Sequence, residues 1–296
     1  MTARLWALLA AGGALALATA SGCSSRNENA IKITGSDTMV NLAQAWAEGF
    51  RDDHADISLQ IKGGGSGMGI AALCSGKIQI ATASRPMKPK ELELAEKNTG
   101  KPPQEFIVGR DALAIYAHRG NPIESISLEE LAEIYGEGGK ITHWKDLGVD
   151  NPMCTDGEII RVSRQNSSGT YAYFREHVLG EKREYKQGAM SQSGSSDIVA
   201  LISKTPCAIG YSGMGYNEDD VKIVKVSAKK GEPGVEPSLA TALDGTYPIS
   251  RPLYLYTLGE PSGAVSEFVK WILSDAGQKI VESNGYVPVN KKPPAG

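Results

Sequence analysis

Arg164-Gln165-Asn166-Ser167-Ser168-Gly169-Thr170 is the stretch whose reading decides the fold. Ahead of it, Ile159, Ile160 and Val162 within Glu158–Ser163 read as a buried strand. Behind it, Tyr171, Phe174 and Val178 recur at helical spacing as far as Leu179. Strand, loop of glycine and small hydroxyls, helix start: this order presents free backbone N–H groups and the positive end of a helix, for which an anion is the natural guest. Gly169 lets the backbone approach closely, Ser168 and Thr170 add hydroxyls, and Arg164 adds five N–H donors. Taken alone, the same residues also describe an ordinary helix cap beside a surface arginine.

Two other loops repeat the construction. Gly35-Ser36-Asp37-Thr38 follows the strand-like Ala30–Thr34 and precedes Met39, Leu42, Ala43, Trp46 and Phe50 at helical spacing. Gly63-Gly64-Gly65-Ser66-Gly67 follows Ile57, Leu59 and Ile61 and precedes the helix Met68–Cys74. Ser84-Arg85-Pro86 closes another strand, Ile78–Ala83, because Pro86 cannot continue the ladder, and Pro89–Asn98 is a polar helix. Three loops of one kind point to a shared anion site rather than three independent caps. Strands alternating with helices predict an α/β fold whose mixed, mostly parallel sheet is covered on both faces, with ligands beyond the carboxyl ends of the strands.

Farther along, Phe106–His118 and Pro248–Thr257 are extended runs longer than one ordinary strand requires. They predict a chain that crosses into a second α/β domain and returns. One domain is then 30–109 with 252–296, the other 110–251. Between the crossings lie the capping box Ser127–Glu130 opening the helix Leu128–Tyr135, an apolar helix Asp197–Ser203, the strand Ala208–Ser212 and an edge-like strand Lys222–Val226. Helices Gly263–Leu273 and Asp275–Glu282 close the chain, with Gly285 placed to end the second.

Residues 1–22 hold Arg4, an apolar run Leu5–Ala18 and the small residues Ala20-Ser21-Gly22 ahead of Cys23, the pattern of a secretory signal. It resembles a bacterial lipoprotein signal cut before Cys23, with Ala20 where leucine is usual. The expectation is an exported protein, acylated at Cys23 and anchored to a membrane through the polar tether 23–29. A plain signal peptide with an incidental cysteine is the alternative. Loss of 22 residues, Arg4 among them, would leave 274 and move the formal charge from −3 to −4. Such a chain has no broad basic surface for nucleic acid. Cys74, Cys154 and Cys207 remain, an odd number in an export setting that permits disulfides. The four histidines, 54, 118, 143 and 177, show no metal-ligand spacing, so neither metal nor cofactor is expected.

Together with Ile141-Thr142-His143-Trp144-Lys145, Ala208-Ile209-Gly210-Tyr211 and Leu273–Gln278, these loops resemble, in order and spacing, the PstS-like phosphate-binding proteins of bacterial phosphate ABC transporters. The resemblance covers nearly the whole chain beyond the signal. It implies a two-domain periplasmic-binding-protein fold that closes over its ligand about a two-strand hinge. It also implies a non-enzymatic monomer that captures inorganic phosphate outside the cytoplasm and delivers it to transmembrane permease subunits. Carried over by position, Thr38, Met39 and Ser66 contact phosphate from the first domain, and Arg164, Ser168, Gly169 and Thr170 from the second. Ser36, Asp37, Gly67, Ser84 and Arg85 in the same loops complete the candidate set. Two positions depart from the family's best-known pattern: an aspartate that accepts the proton of hydrogen phosphate is absent near Arg85, and Asn166 stands where an aspartate pairs with the arginine.

Asp37 is then the only carboxylate in the four loops. It either takes the ligand's proton or caps the helix behind it. Without the family aspartate, another tetrahedral oxyanion such as sulfate or molybdate competes as ligand. A serine hydrolase acting on phosphoesters through Ser66 or Ser168 is a further alternative, although Met68 breaks the Gly-x-Ser-x-Gly elbow. Cys154 and Cys207 precede two strands; if those strands are parallel neighbours, a bridge joins them and leaves Cys74 reduced. Three separate thiols are the other possibility.

Overall fold

The structure, a computed structural model, describes residues 30–216 and 218–291. The signal, the tether and Cys23 lie outside the described residues. Ten strands run in chain order: β1 Ala30–Gly35, β2 Ser58–Lys62, β3 Ile80–Ala83, β4 Pro103–His118, β5 Ser125–Ser127, β6 Ile160–Arg164, β7 Met190–Gln192, β8 Ala208–Gly213, β9 Val221–Ser227 and β10 Ser250–Leu258. The α-helices among the described residues are α1 Val40–Arg51, α2 Ser66–Cys74, α3 Pro89–Thr99, α4 Leu128–Tyr135, α5 Gly169–Phe174, α6 Ser195–Ile202, α7 Leu239–Leu243, α8 Gly263–Leu273 and α9 Asp275–Ser283.

The strands form one path in the order β2-β1-β3-β10-β4-β8-β6-β7, with β9 on β4 and β5 on β9. Five of the nine strand pairs are parallel, and these occupy the flanks, as crossover helices require. The antiparallel pairs gather around the two long strands, where β10 runs against β4 from Ser250↔Ala112 to Leu258↔Pro103. A register shift between Leu253 and Tyr254 interrupts that pairing. The fold is therefore the mixed α/β sheet expected, with its two longest strands, β4 and β10, paired at the middle of the path.

Local chemistry fixes the helices. Ser127 Oγ accepts the Glu130 N–H at 3.1 Å and Glu130 Oε2 accepts the Ser127 N–H at 3.0 Å, the reciprocal box that starts α4. Leu42, Ala43, Trp46 and Phe50 make the buried stripe of α1. The helix read over Tyr171–Leu179 divides into α5 and a π-helical turn, Arg175–Leu179. β9 is not the edge its lysines indicate, because the short β5 covers its outer side.

Apolar packing falls on either side of the crossings. Ile31, Met39, Trp46, Phe50, Leu253 and Phe268 share one cluster, and Ile70, Leu73, Ala95 and Tyr256 a neighbouring one. Leu113, Tyr135, Trp144, Phe174 and Tyr211 share another, and Tyr116, Val162 and Ile198 a fourth. Each large side chain taken from water contributes about 1.5–3 kcal/mol, so both halves hold substantial cores of their own. Cys154 and Cys207 are joined by a disulfide with Cα atoms 5.0 Å apart, at the starts of the parallel neighbours β6 and β8; Cys74 is free and buried. No helix among the described residues is long and apolar enough to cross a membrane.

Candidate functional site

The loops after β1, β2, β3 and β6 converge beyond the carboxyl ends of those strands, where α/β sheets take their ligands. Ser36 Oγ donates to Ser84 Oγ at 3.0 Å, and the Ser84 N–H donates to Ser66 Oγ at 3.0 Å, which links three buried serines. Thr38 and Thr170 hydroxyl oxygens lie 3.0 Å apart, one from each half of the molecule. Ser168 Oγ accepts the N–H groups of Thr170 at 3.1 Å and Tyr171 at 3.4 Å, capping α5. Its hydroxyl proton stays free to donate outward.

Backbone donors add to the hydroxyls. Thr38 lies in a 3-10 turn, Asp37–Met39, while Ser66 and Gly169 open α2 and α5. Their amide N–H groups find no protein acceptor among the described residues, as expected for the first turn of a helix. Tyr216 donates to the Asp37 carbonyl and Tyr286 to the Thr38 carbonyl, both at 2.7 Å, so neither buried acceptor is left unpaired. The halves meet so closely that glycine is required at two places. A Cβ on Gly169 would lie 2.3 Å from Ser66 Oγ, and one on Gly65, at φ +97°, would lie 2.5 Å from the Ser167 carbonyl oxygen.

Two buried arginines supply charge. Arg164 donates through Nη2 to Asp37 Oδ2 at 3.0 Å and to the Ser193 carbonyl at 2.8 Å, and through Nη1 to Ser195 Oγ at 3.0 Å. Its Nε is buried without a partner among the described residues. Burial lowers the Arg164 pKa against the opposing charge of Asp37. Arg251 of β10 donates to Asp111 Oδ2 through Nε at 3.1 Å and Nη2 at 2.8 Å. Nη2 also reaches Thr170 Oγ1 at 2.9 Å and Thr38 Oγ1 at 3.3 Å, while Nη1 donates to the Ser84 carbonyl at 3.3 Å. Asp111 is fully buried; burial pushes its carboxyl up, against the pull of Arg251 and the Met214 N–H. Arg164 and Arg251 against Asp37 and Asp111 leave the site formally neutral before any ligand enters.

Four expected ligand residues have their polar groups or side chains engaged within the protein. Arg85 gives both terminal nitrogens to Glu91, at 2.8 and 2.7 Å, with Nη1 also on the Pro86 carbonyl, so it is captured by α3 and not offered to the site. Gly67 donates its N–H to the Ser167 carbonyl at 2.9 Å, leaving no donor for an anion. Met39 buries its whole side chain in the first-half core and donates its N–H to the Ser36 carbonyl at 3.0 Å, leaving no donor for an anion. Asp37 is neither a free proton acceptor nor a cap of its own helix. Its Oδ1 accepts the Gly64 N–H at 2.7 Å and its Oδ2 accepts Arg164. It thereby does the arginine pairing that Asn166 cannot. Ser36, Thr38, Ser66, Ser84, Arg164, Ser168, Gly169 and Thr170 come together.

Arg251 and Asp111 were absent from that set. They sit 140 positions apart, and only the β4–β10 register, Arg251↔Asp111, brings them face to face. The usable signal was charge inside long extended runs: Arg110-Asp111 in one crossing run and Arg251 in the other. What this constellation can do chemically is hold a compact oxyanion with hydroxyl, amide and guanidinium donors.

Residues 18–276 match a family model described as a PBP superfamily domain. The chain is 34% identical over 272 residues to the phosphate-binding protein PstS of Pseudomonas aeruginosa, covering 88% of this chain and 84% of the relative. It is 33% identical over 277 residues to the PstS of Staphylococcus saprophyticus, covering 91% and 83%. A Clostridium perfringens substrate-binding protein solved with phosphate bound superposes with a TM-score of 0.78 at 32% identity, over 88% of this chain and all of that one. An ABC-type phosphate transport receptor of Vibrio cholerae gives 0.67 at 26%, over 87% and 99%. The chain belongs to the PBP superfamily and, within it, to the PstS family of phosphate-binding proteins.

Proposed function

We propose that this protein binds inorganic phosphate in the cleft between its halves and delivers it to the permease of an ABC transporter. The observation that carries the reading is the convergence of two buried arginines, helix-start amides and serine and threonine hydroxyls on one formally neutral point. The ligand set is Thr38, Ser66, Ser84, Arg164, Ser168, Gly169 and Thr170, with Ser36 behind them, its N–H and hydroxyl already donated to the Thr82 carbonyl and Ser84. Micromolar binding needs about 8 kcal/mol net, which a handful of charge-assisted hydrogen bonds supplies. The halves, 30–109 with 252–296 and 110–251, act as two domains that close about β4 and β10. Phosphoester turnover is not expected. Titration calorimetry with phosphate, sulfate and arsenate tests the ligand; absence of a phosphate heat at micromolar protein overturns the reading.

One observation favours a second ligand. Every carboxylate oxygen of Asp37 and Asp111 already accepts a donor, so no unengaged carboxylate oxygen awaits the proton of hydrogen phosphate. Sulfate or molybdate, which need donors only, would fit such a site, and the sulfate arm decides between them. Anchoring rests on Cys23 and its flanking residues. Wild type should partition into detergent as a monomer and Cys23→Ser should not; identical partitioning removes the lipid anchor.

A further inference from the structure

We propose that Arg251, braced by Asp111, is a positioning and specificity-determining residue of the anion site, turning the one free proton of the Thr38–Thr170 hydroxyl pair toward the anion and tying closure to it. The proposal rests on the reading of the cleft as a phosphate site.

A hydroxyl carries one proton and two lone pairs. Arg251 Nη2 gives one proton to Asp111 Oδ2 and shares the other between Thr170 Oγ1 at 2.9 Å and Thr38 Oγ1 at 3.3 Å, so it engages a lone pair on each oxygen. The 3.0 Å contact between those oxygens uses one of their two protons. The second proton has no protein acceptor among the described residues, and an anion oxygen supplies one. Without the guanidinium, either threonine can rotate and present a lone pair to the anion. With it, three of the four lone pairs are engaged, and the hydroxyl that accepts across the pair can only donate outward.

The guanidinium is itself held on several sides. Asp111 on β4 takes Nε and Nη2, the Ser84 carbonyl takes Nη1, and the Tyr173 ring of α5 lies 5.4 Å from Cζ. Asp111 is fixed in turn by the Met214 N–H at 3.2 Å. Thr38 belongs to the first half and Thr170 to the second, whereas Arg251 rides on the strand that connects them. Its two threonine bonds form together only when the cleft is shut. Anion binding and closure thus share one cation.

The test is a double-mutant cycle on phosphate affinity, read by calorimetry on wild type, Arg251→Met, Thr170→Val and the double variant. Because hydrogen bonds to charged groups are at stake, Arg251→Met should lose about 100-fold and Thr170→Val about 10-fold. If Arg251 acts through the threonine, the double variant loses little more than Arg251→Met alone. A merely structural arginine would give the product of the two losses. Should Arg251→Met not fold, Arg251→Lys replaces it in the same cycle, with about a 10-fold loss and the same non-additivity, since lysine keeps the charge without the fork. An arginine variant within threefold of wild type, or additive losses, overturns the proposal. A wild type that ignores phosphate overturns the reading of the cleft instead.

Discussion

Ser84-Arg85-Pro86, just past the end of β3, and Ser250-Arg251-Pro252, within its partner strand β10, are the same tripeptide met twice, and the two arginines have opposite fates. Arg85 stands two residues past Ala83, the last residue of β3. Pro86 turns the chain toward α3, whose Glu91 stands at its third position and already accepts the Lys88 N–H at 2.8 Å. Arg85 falls within reach of that carboxylate, and both its terminal nitrogens are taken. Arg251 is inside β10, directly opposite Asp111, and only one edge of its guanidinium is committed there. The rest reaches the two threonines. An arginine beside an anion site is informative only once its own carboxylate has been found.

The largest test of this contrast is stability. Asp111 and Arg251 are both essentially without solvent contact, so Asp111→Asn strands a buried guanidinium and should cost about 3–5 kcal/mol in urea unfolding. The Glu91 carboxylate keeps about a quarter of its surface exposed, and Glu91→Gln should cost about 1 kcal/mol. Equal losses would mean the two pairs do the same work.

Binding should separate the arginines next. Arg85→Met is expected to leave phosphate affinity within about threefold of wild type, because the guanidinium it removes is committed to Glu91, while a site arginine is worth roughly 2–3 kcal/mol. A loss of that size in Arg85→Met would return Arg85 to the ligand set.

How much of this was legible follows from the distances involved. The three glycine and hydroxyl loops declare themselves locally, since a strand end, a loop and a helix start are neighbours in sequence. Thr38, Ser66 and Thr170 could be singled out for that reason. The capture of Arg85 was also local, six residues away at a helix start, but the resemblance drew attention to its position rather than to Glu91. Asp111 and Arg251 could not be paired in advance. Their meeting depends on the register of two long strands, and the irregularity at Leu253/Tyr254 lies within that same pairing. Asp37 was read as proton acceptor or cap because its partner, Arg164, comes from the other half of the molecule.

A third variant closes the cleft less well without touching either arginine. Gly169→Ala places a Cβ 2.3 Å from Ser66 Oγ and 2.6 Å from Ser84 Oγ, so the halves must part slightly. Strain of about 1–2 kcal/mol predicts roughly a tenfold loss of phosphate affinity, with the unliganded stability little changed. If affinity holds, the close approach is not needed for binding, and the coupling of closure to Arg251 loses its geometric basis.

The smallest effect distinguishes the pairs by pH. Burial opposes ionisation of Glu91, but the hydrogen bonds from Arg85 and the Lys88 N–H outweigh it and hold the carboxyl below its ordinary value. A carboxylate lowered by folding contributes stability above its unfolded pKa, about 4.3, and loses that contribution as pH falls through the folded value. The gap between wild type and Glu91→Gln, about 1 kcal/mol at pH 7, should therefore shrink toward zero once the pH is taken below about 4. Urea unfolding of both proteins at neutral and acid pH measures it. A gap that survives acidification would mean that Glu91 stabilises α3 by packing or neutral hydrogen bonding, and that Arg85 is not held by charge.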